Sequence, residues 1–299
     1  MRGRCAAAVM ARLCHEGMDH MTVTRKLIAL GGLLGAALAA SSAALADGYE
    51  VAAPAAPVEE GRKFTYAFNI GATSDYVFRG VSQSDNDPAL QGGVDVAWGM
   101  IYGGIWASRI DFGDAPPANA EVDWYGGIKP SWDSPLGTVN FDLGAIYYSY
   151  PGSDPEAVGL SDPNYWELKA GYSWSALHPS LVTGTTVYYS PDYFLGTGTV
   201  WTVETMAAWT LPKVHIFTPV INGAIGWQFG DWENGYTVNG GTDDEYYYWN
   251  VGLALGVEGM TFDFRYWDSN IGKDAAGPIC GAANFCDGRF VFSAKVAVP

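Results

Sequence analysis

The sequence predicts an all-β fold, a closed antiparallel transmembrane β-barrel of about twelve strands with short periplasmic turns and longer extracellular loops. Two observations lead to this prediction. Apolar and polar residues alternate along almost the whole chain after residue 63, and the connections between the alternating segments are short and long in turn. In a membrane barrel one face of each strand meets lipid and the other meets the lumen, which produces a period of two.

The composition agrees with this fold class. The 299 residues include 38 glycines and 14% aromatic residues but only 16% charged residues. The mean hydropathy is +0.02, and no apolar run after residue 46 reaches the length of about 20 residues that a spanning helix needs. The formal net charge of −16 excludes the basic surface by which proteins bind nucleic acid.

Three regions are predicted along the chain. Residues 1–46 are interpreted as a signal peptide whose true start is Met21, with an apolar segment over 27–40 and an Ala-x-Ala cleavage site at 44–46. A membrane anchor is the less favoured alternative, because the apolar run is short. Residues 47–62 are rich in Ala, Pro and Glu and predict a flexible periplasmic linker, and residues 63–299 predict the barrel.

The alternation begins at Phe64. Apolar or aromatic residues occupy alternate positions as far as Phe78, which predicts one long strand whose outward face ends there and whose inward face carries Asp75 and Arg79. A polar loop over 81–88 follows, and a second strand continues to Trp98 with Asp95 on its inward face.

Ten further strands repeat this pattern. In the first of them the pattern places Tyr102 and Trp106 outward, opposite Arg109 and Asp111. The ten strands are predicted at 101–112, 121–130, 138–150, 164–174, 181–190, 199–211, 217–230, 245–257, 260–269 and 288–298.

The connections form a second, independent regularity. Short ones fall near 99–100, 131–137, 175–180, 212–216 and 258–259, and longer polar ones at 80–88, 113–120, 151–163, 191–198, 231–244 and 270–287. A soluble β-sandwich would also alternate strands and turns, but it would not sort its loops by length in this way. Aromatic residues near strand ends, as in the girdles of membrane barrels, favour the barrel further: Tyr66, Trp98, Trp124, Trp174, Trp209, Trp249 and Tyr266.

Residues 74–98 (SDYVFRGVSQSDNDPALQGGVDVAW) resemble the opening segment of the TorF-type family of proteobacterial outer-membrane porins, and segments 102–112, 121–127 and 188–194 resemble the same family in the same order. The resemblance covers roughly residues 64–298. It implies an exported, porin-like barrel in the bacterial outer membrane, of a family whose substrates are mostly unknown. The sequence departs from the usual pattern at its end. Outer-membrane barrels generally end in an aromatic residue, whereas this chain ends in VAVP.

The inward face is predicted to line a pore. Its acids are Asp75, Asp95, Asp111, Glu121, Asp123, Asp142, Glu167, Glu204 and Asp263, and its bases are Arg79, Arg109, Lys129, Lys169, Arg265 and Lys295. Opposed charges suit a wet, selective lumen, but the same charges could pair across a plugged interior. About twelve strands lies between the filled barrels of eight and the open channels of sixteen or more, so both alternatives stay open.

Arg79 and Arg109 lie near the extracellular strand ends. Each could contact a solute at a constriction, because Arg binds carboxylates and phosphates well. Pairing with Asp75 or Asp111 is the simpler alternative.

Cys280 and Cys286 are the only cysteines after residue 46, and in an exported protein they predict a disulfide. No metal site and no cofactor are predicted. The acidic loop residues Asp231, Glu233 and 243–245 could gather divalent cations among lipopolysaccharide headgroups, although a solvated loop explains them as well.

An enzyme is not predicted. The only histidines after residue 46, His178 and His215, fall in short periplasmic turns, and no nucleophile elbow, P-loop or metalloprotease motif is present. The predicted function is passive diffusion of small hydrophilic solutes through an outer-membrane porin. The alternative is a plugged structural or adhesive barrel that acts through its extracellular loops. Expected partners are outer-membrane lipid and lipopolysaccharide, and the oligomeric state is not predicted.

Overall fold

The structure, a computed structural model, describes residues 64–113, 118–156, 159–231, 244–271, 280 and 284–298. The predicted signal peptide and linker lie outside this range. Within it, no helix has the length and apolar character needed to cross a membrane. The described residues form the strands β1 (Phe64–Thr73), β2 (Val77–Phe78), β3 (Val81–Ser82), β4 (Ala89–Trp98), β5 (Ile101–Arg109), β6 (Ala120–Ile128), β7 (Ser131–Ser134), β8 (Gly137–Ser149), β9 (Tyr165–His178), β10 (Leu181–Ser190), β11 (Val200–Thr210), β12 (Thr218–Gly230), β13 (Glu245–Val257), β14 (Met260–Ser269) and β15 (Arg289–Val298).

The sheet closes on itself as a barrel. Each long strand pairs antiparallel with its neighbours in sequence, and β1 pairs with both β4 and β15, which joins the first strand to the last. β6 and β7 both pair with β8 and form one wall strand, interrupted at Pro130, which has no N–H to donate to a neighbouring strand. The barrel therefore has twelve strands, and the predicted fold class is confirmed.

Outward and inward faces follow the alternation. Along β13, exposed and buried residues alternate one by one from Glu245 to Ala254. The outward face is apolar, as for Phe68, Ile225 and Phe264, which is the arrangement of a barrel that spans a membrane. The faces of β4, β6, β8, β9 and β11 to β15 match those that the sequence predicts.

The two rims differ as predicted. One rim, here called the short-turn rim, has connections at 99–100, 135–136, 179–180, 211–217 and 258–259. Glu258 and Gly259 both have positive φ angles, of 47° and 81°, as a two-residue type I′ hairpin turn requires. The opposite, long-loop rim carries the six longer connections.

Two predictions about the faces are wrong. In β5 the faces are reversed, since Trp106 and Ile110 are buried inside the barrel and Arg109 is exposed outside. The first strand ends at Thr73, and the chain then turns into the lumen, so Tyr76 and Phe78 are buried rather than outward. Both errors have one cause: near the long-loop rim the lumen is filled by protein, and an apolar residue there can point inward.

Candidate functional site: the lumen and its hairpin

The connection between β1 and β4, residues 74–88, folds into the barrel and is called here the lumen hairpin. Its strands β2 and β3 are joined by Arg79 and Gly80, with φ angles of 49° and 82°, again the signs of a type I′ turn. A Cβ on Gly80 would lie 2.8 Å from the Cβ of Tyr248, so the tip fits closely against β13. For a residue other than glycine, the left-handed region is higher in energy by about 1–2 kcal/mol. Arg79 is therefore held in an unfavourable backbone conformation.

Arg79 forms an ion pair with Glu167 of β9. Its two terminal nitrogens donate to the two carboxylate oxygens, both at 2.8 Å, and the side chains are 5% and 1% exposed. Tyr148 donates a further hydrogen bond to Glu167 Oε2 at 3.1 Å. The guanidinium also lies 4.6 Å from the ring centre of Phe78 and 4.9 Å from that of Tyr188.

A second carboxylate stands near the hairpin tip. Glu204 of β11 is buried, accepts a 2.8 Å hydrogen bond from the hydroxyl of Tyr248, and lies within electrostatic reach of Arg79. The hydroxyl of Tyr246 donates to the main-chain oxygen of Arg79 at 3.2 Å. The tip is thus held by wall residues from β9, β11 and β13.

The base of the hairpin is anchored by Asp75. Its carboxylate accepts hydrogen bonds from the hydroxyls of Ser82 and Ser84 at 2.7 and 3.0 Å and from Arg289 of β15 at 2.6 Å. The N–H of Ser82 donates to the carbonyl of Phe285 at 2.8 Å. The segment just before β15 therefore also contacts the hairpin.

That segment contains a disulfide between Cys280 and Cys286, whose Cα atoms are 5.3 Å apart. Both cysteines and Phe285 are buried in one apolar cluster with Val77 and Val81 of the hairpin. The two cysteines and Phe285 therefore form part of the packing that holds the hairpin in the lumen.

The other side of the hairpin meets a second cluster. Tyr76 packs edge-on against Trp106, with ring centres 5.4 Å apart, and donates to Glu121 Oε1 at 3.3 Å. Glu121 and Asp123, two positions apart on β6, are both buried here.

Burial and the charge of Glu121 raise the pKa of Tyr150, which directly follows β8, so its phenol stays neutral.

Nearer the short-turn rim the lumen is lined by a network of charged and hydroxyl groups. Asp142 accepts hydrogen bonds from Tyr102 at 2.6 Å and from Lys169 at 3.0 Å, and the ammonium of Lys129 is 4.0 Å away. Tyr125 donates to Asp95 at 2.6 Å. The carboxylates of this wall therefore have hydrogen-bonded or charged partners.

Glycines let the tyrosines of this network lie flat. A methyl group on Gly104 would overlap the ring of Tyr125, and one on Gly144 would come within 2.7 Å of the hydroxyl of Tyr102. The ring of Tyr125 therefore lies over β5 and the hydroxyl of Tyr102 over β8, and both residues also pack with the apolar cluster around Trp106.

On the opposite wall, Arg265 is held by four acceptors. It donates to both carboxylate oxygens of Asp263, at 3.0 and 2.9 Å, and to the side-chain oxygens of Asn250 and Asn222. Lys295 is on the inward face of β15.

The structure places the predicted site residues in three groups. Ten lie on the inward face of the wall or, in the case of Lys129, directly after the end of β6: Asp95, Asp123, Lys129, Asp142, Glu167, Lys169, Glu204, Asp263, Arg265 and Lys295. Asp75 and Arg79 belong to the lumen hairpin, and Arg79 pairs with Glu167, not with Asp75. Arg109 and Asp111 form an exposed pair at 3.2 Å near the long-loop rim. The reversed faces of β5 correct the prediction that Arg109 lines the lumen. Asp111 lies beyond β5, and its N–H donates to the carbonyl of Gln83 of the lumen hairpin at 2.8 Å.

Several residues of the site were missed by the sequence analysis: Tyr76, Phe78, Tyr148, Tyr188 and Arg289. A signal for the hairpin was present, because Arg79-Gly80 stands between Val77-Phe78 and Val81, and a two-residue turn ending in Gly is typical of a hairpin. The acidic loop residues Glu233 and Asp243 lie outside the described residues. In the part of the chain that is described, no three His, Cys, Asp or Glu residues gather as a metal site would require.

Solved structures similar to the chain include barrels of different lengths. The NanC porin, in a rhombohedral crystal form, is 11% identical with a TM-score of 0.47, covering 79% of this chain and 100% of that one. LpxR from Salmonella typhimurium is 9% identical with a TM-score of 0.37, covering 77% and 99%. OpdQ of Pseudomonas aeruginosa is 10% identical with a TM-score of 0.36, covering 80% and 69%.

No curated protein sequence matches the chain. A family described as "Bacterial protein of unknown function (Gcw_chp)" matches residues 57–297. This description does not name the TorF-type porins, so that finer resemblance stays a prediction. Since the match spans well over half of the sequence, the chain belongs to the Gcw_chp family of bacterial proteins.

Proposed function

We propose that the protein is a porin-like channel of the bacterial outer membrane, through which small hydrophilic solutes diffuse passively, with the lumen hairpin as its constriction. The apolar outer surface supports a place in the membrane, among outer-membrane lipid and lipopolysaccharide. The charged and hydroxyl groups of the inner wall support an aqueous path.

The observation that carries the proposal is the arrangement of the wall near the short-turn rim. Asp142 and Lys129 face the lumen with side chains that are 29% and 22% exposed, and Tyr102 and Lys169 donate hydrogen bonds to Asp142. Charged groups that keep contact with solvent inside a barrel suit an aqueous path better than a solid core.

At the hairpin the lumen is blocked. Arg79, Glu167, Tyr148 and Tyr248 are each at most 5% exposed, so a solute passes this level only when the hairpin tip moves. The structure is therefore interpreted as a closed state of the channel.

The same burial favours a second candidate function, a plugged barrel that acts through its long loops at 151–163, 231–244 and 270–287. The two functions differ in whether the hairpin ever leaves its place. A channel must conduct ions, and a plugged barrel must not.

The test is single-channel recording of the refolded mature chain in planar bilayers, compared with the variants Arg79→Ala and Arg109→Ala. The proposal expects brief conductance steps from the wild type and from Arg109→Ala, because Arg109 is exposed outside. Arg79→Ala loses the tip ion pair and is expected to open more often or with larger steps. The absence of steps from all three folded proteins would establish the plugged barrel instead.

A further inference from the structure

We propose that Glu167, Tyr188 and Glu204 form a binding site for a guanidinium-bearing solute, and that Arg79 of the lumen hairpin occupies this site as an internal substitute for that solute. The binding site itself rests on the geometry of the wall. Its consequence, that such a solute releases the hairpin, rests on the proposed channel function.

The first support is the geometry of the ion pair. Two nitrogens of Arg79 meet two oxygens of Glu167, both at 2.8 Å. A paired contact of this kind fits the planar guanidinium and not the single ammonium of a lysine or amine. Tyr148, on the adjacent strand, donates to Glu167 Oε2 and fixes the carboxylate in this orientation.

The second support is the aromatic surface beside the cation. The guanidinium carbon lies 4.9 Å from the ring centre of Tyr188, within the range of a cation–π contact. Tyr188 belongs to the wall strand β10, so it stays in place when the hairpin moves. Phe78, whose ring centre is 4.6 Å from the guanidinium carbon, belongs to the hairpin and leaves with Arg79.

The third support is the charge that the tip leaves behind. Glu204 interacts electrostatically with both Arg79 and Arg265 of β14, whereas the ion pair of Glu167 is with Arg79. When the tip leaves, Glu167 keeps the hydroxyl of Tyr148 as a donor but loses this cation. A buried carboxylate without a cation is costly, and an incoming guanidinium removes this cost.

The hairpin is built so that its tip can separate from the wall while its base stays. The base is fixed by Asp75 and Arg289, whereas the tip carries Arg79 in the left-handed region at φ 49°. Strain of this kind is found where a functional residue is held in place by its surroundings. Exchange of Arg79 for a free guanidinium would keep Glu167 paired with a cation.

Binding is tested in detergent with the variant Arg79→Ala, which vacates the site. Methylguanidinium at millimolar concentration is expected to raise its Tm by several degrees in a saturable manner. Urea, which has a similar shape but no charge, and methylammonium at equal ionic strength are expected to raise the Tm much less. The double variant Arg79→Ala/Glu167→Gln is expected to lose the response, and Arg109→Ala, whose site stays occupied, is the matched control. An equal response to methylammonium, or none to methylguanidinium, overturns the binding site.

The gating consequence is tested on the wild type, which does not depend on the folding of a variant. In bilayers, an alkylguanidinium is expected to increase the opening frequency severalfold, and methylammonium is not. A wild type that opens but ignores the guanidinium contradicts the substitution of Arg79 while leaving the channel function intact. A wild type that never conducts contradicts the channel function, and the Tm experiment still decides whether the binding site exists.

Discussion

Arg289 Nη1 donates a hydrogen bond to Asp75 Oδ2 at 2.6 Å, although the two residues are 214 positions apart in the sequence. Asp75 begins the lumen hairpin and Arg289 begins the last strand. Because their side chains are only 6% and 12% exposed, the pair is shielded from water. The pair therefore joins the start of the lumen hairpin to the last strand of the barrel.

This pair is expected to be energetically coupled. Asp75→Ala and Arg289→Ala each leave a buried charge without its partner, a loss of about 3 kcal/mol in the free energy of unfolding. The double variant removes both charges and is expected to be more stable than the sum of the two single losses predicts. Urea unfolding followed by tryptophan fluorescence measures all three, and strictly additive losses would show that the contact contributes nothing of its own.

Gly104→Ala is expected to narrow the channel. The added methyl group overlaps the ring of Tyr125, so the ring must leave the wall, project into the lumen and lose its hydrogen bond to Asp95. The single-channel conductance of open events should fall. Gly103→Ala is the matched control, since its methyl group points outward and meets only the carbonyl of Tyr125 at an ordinary 3.4 Å. Equal conductance in both variants would mean that Tyr125 does not border the conducting path.

Reduction of the Cys280–Cys286 disulfide is expected to loosen the lumen hairpin. The bridge closes a short loop, for which the entropic stabilisation is about 2 kcal/mol, and both cysteines and Phe285 lie in one apolar cluster with Val77 and Val81. Dithiothreitol should lower the Tm and increase the frequency of channel opening. A protein with serine at both positions should behave like the reduced wild type and show no further response to the reductant. A reductant effect that persists without the cysteines would have another origin.

Cysteine labelling should distinguish the two faces of the wall. In proteoliposomes, a water-soluble maleimide is expected to react with Asp142→Cys, on the inward face, and hardly with Val251→Cys, whose side chain is directed outward and is 48% exposed on the bare barrel. A hydrophobic maleimide should reverse this preference. Equal labelling of both sites by the water-soluble reagent would contradict the observed register, because a shift by one residue exchanges the two faces.

Most of the barrel could be predicted from the sequence, because lipid and water impose a strict period of two on each strand. The same rule failed at Tyr76, Phe78 and Trp106, where the interior contains neither lipid nor water but another piece of the chain. The alternation of apolar and polar residues predicts which residues face outward only where the inner face of the strand contacts water. Tyr102 was misplaced for a related reason, since its ring covers glycines of the inner wall while its hydroxyl reaches Asp142.

The partners of the charged residues could not be predicted in the same way. The sequence places Arg79 near Asp75, but the turn of the hairpin carries it to Glu167, 88 positions further on. Such pairs depend on how far a side chain reaches across the lumen, and that distance is set by the closure and stagger of the whole barrel.

Of the tryptophans in the described ranges, Trp106 and Trp267 are the two that are buried, and each lies in one of the two apolar clusters that flank the lumen hairpin. The exposed tryptophans, such as Trp98, Trp124 and Trp209, are directed toward the surroundings of the barrel. The unlabelled protein thus contains one buried tryptophan on each side of the lumen hairpin. Brominated lipid should quench the outer tryptophans and leave the inner pair emitting, and an opening hairpin should make that remaining emission accessible to acrylamide.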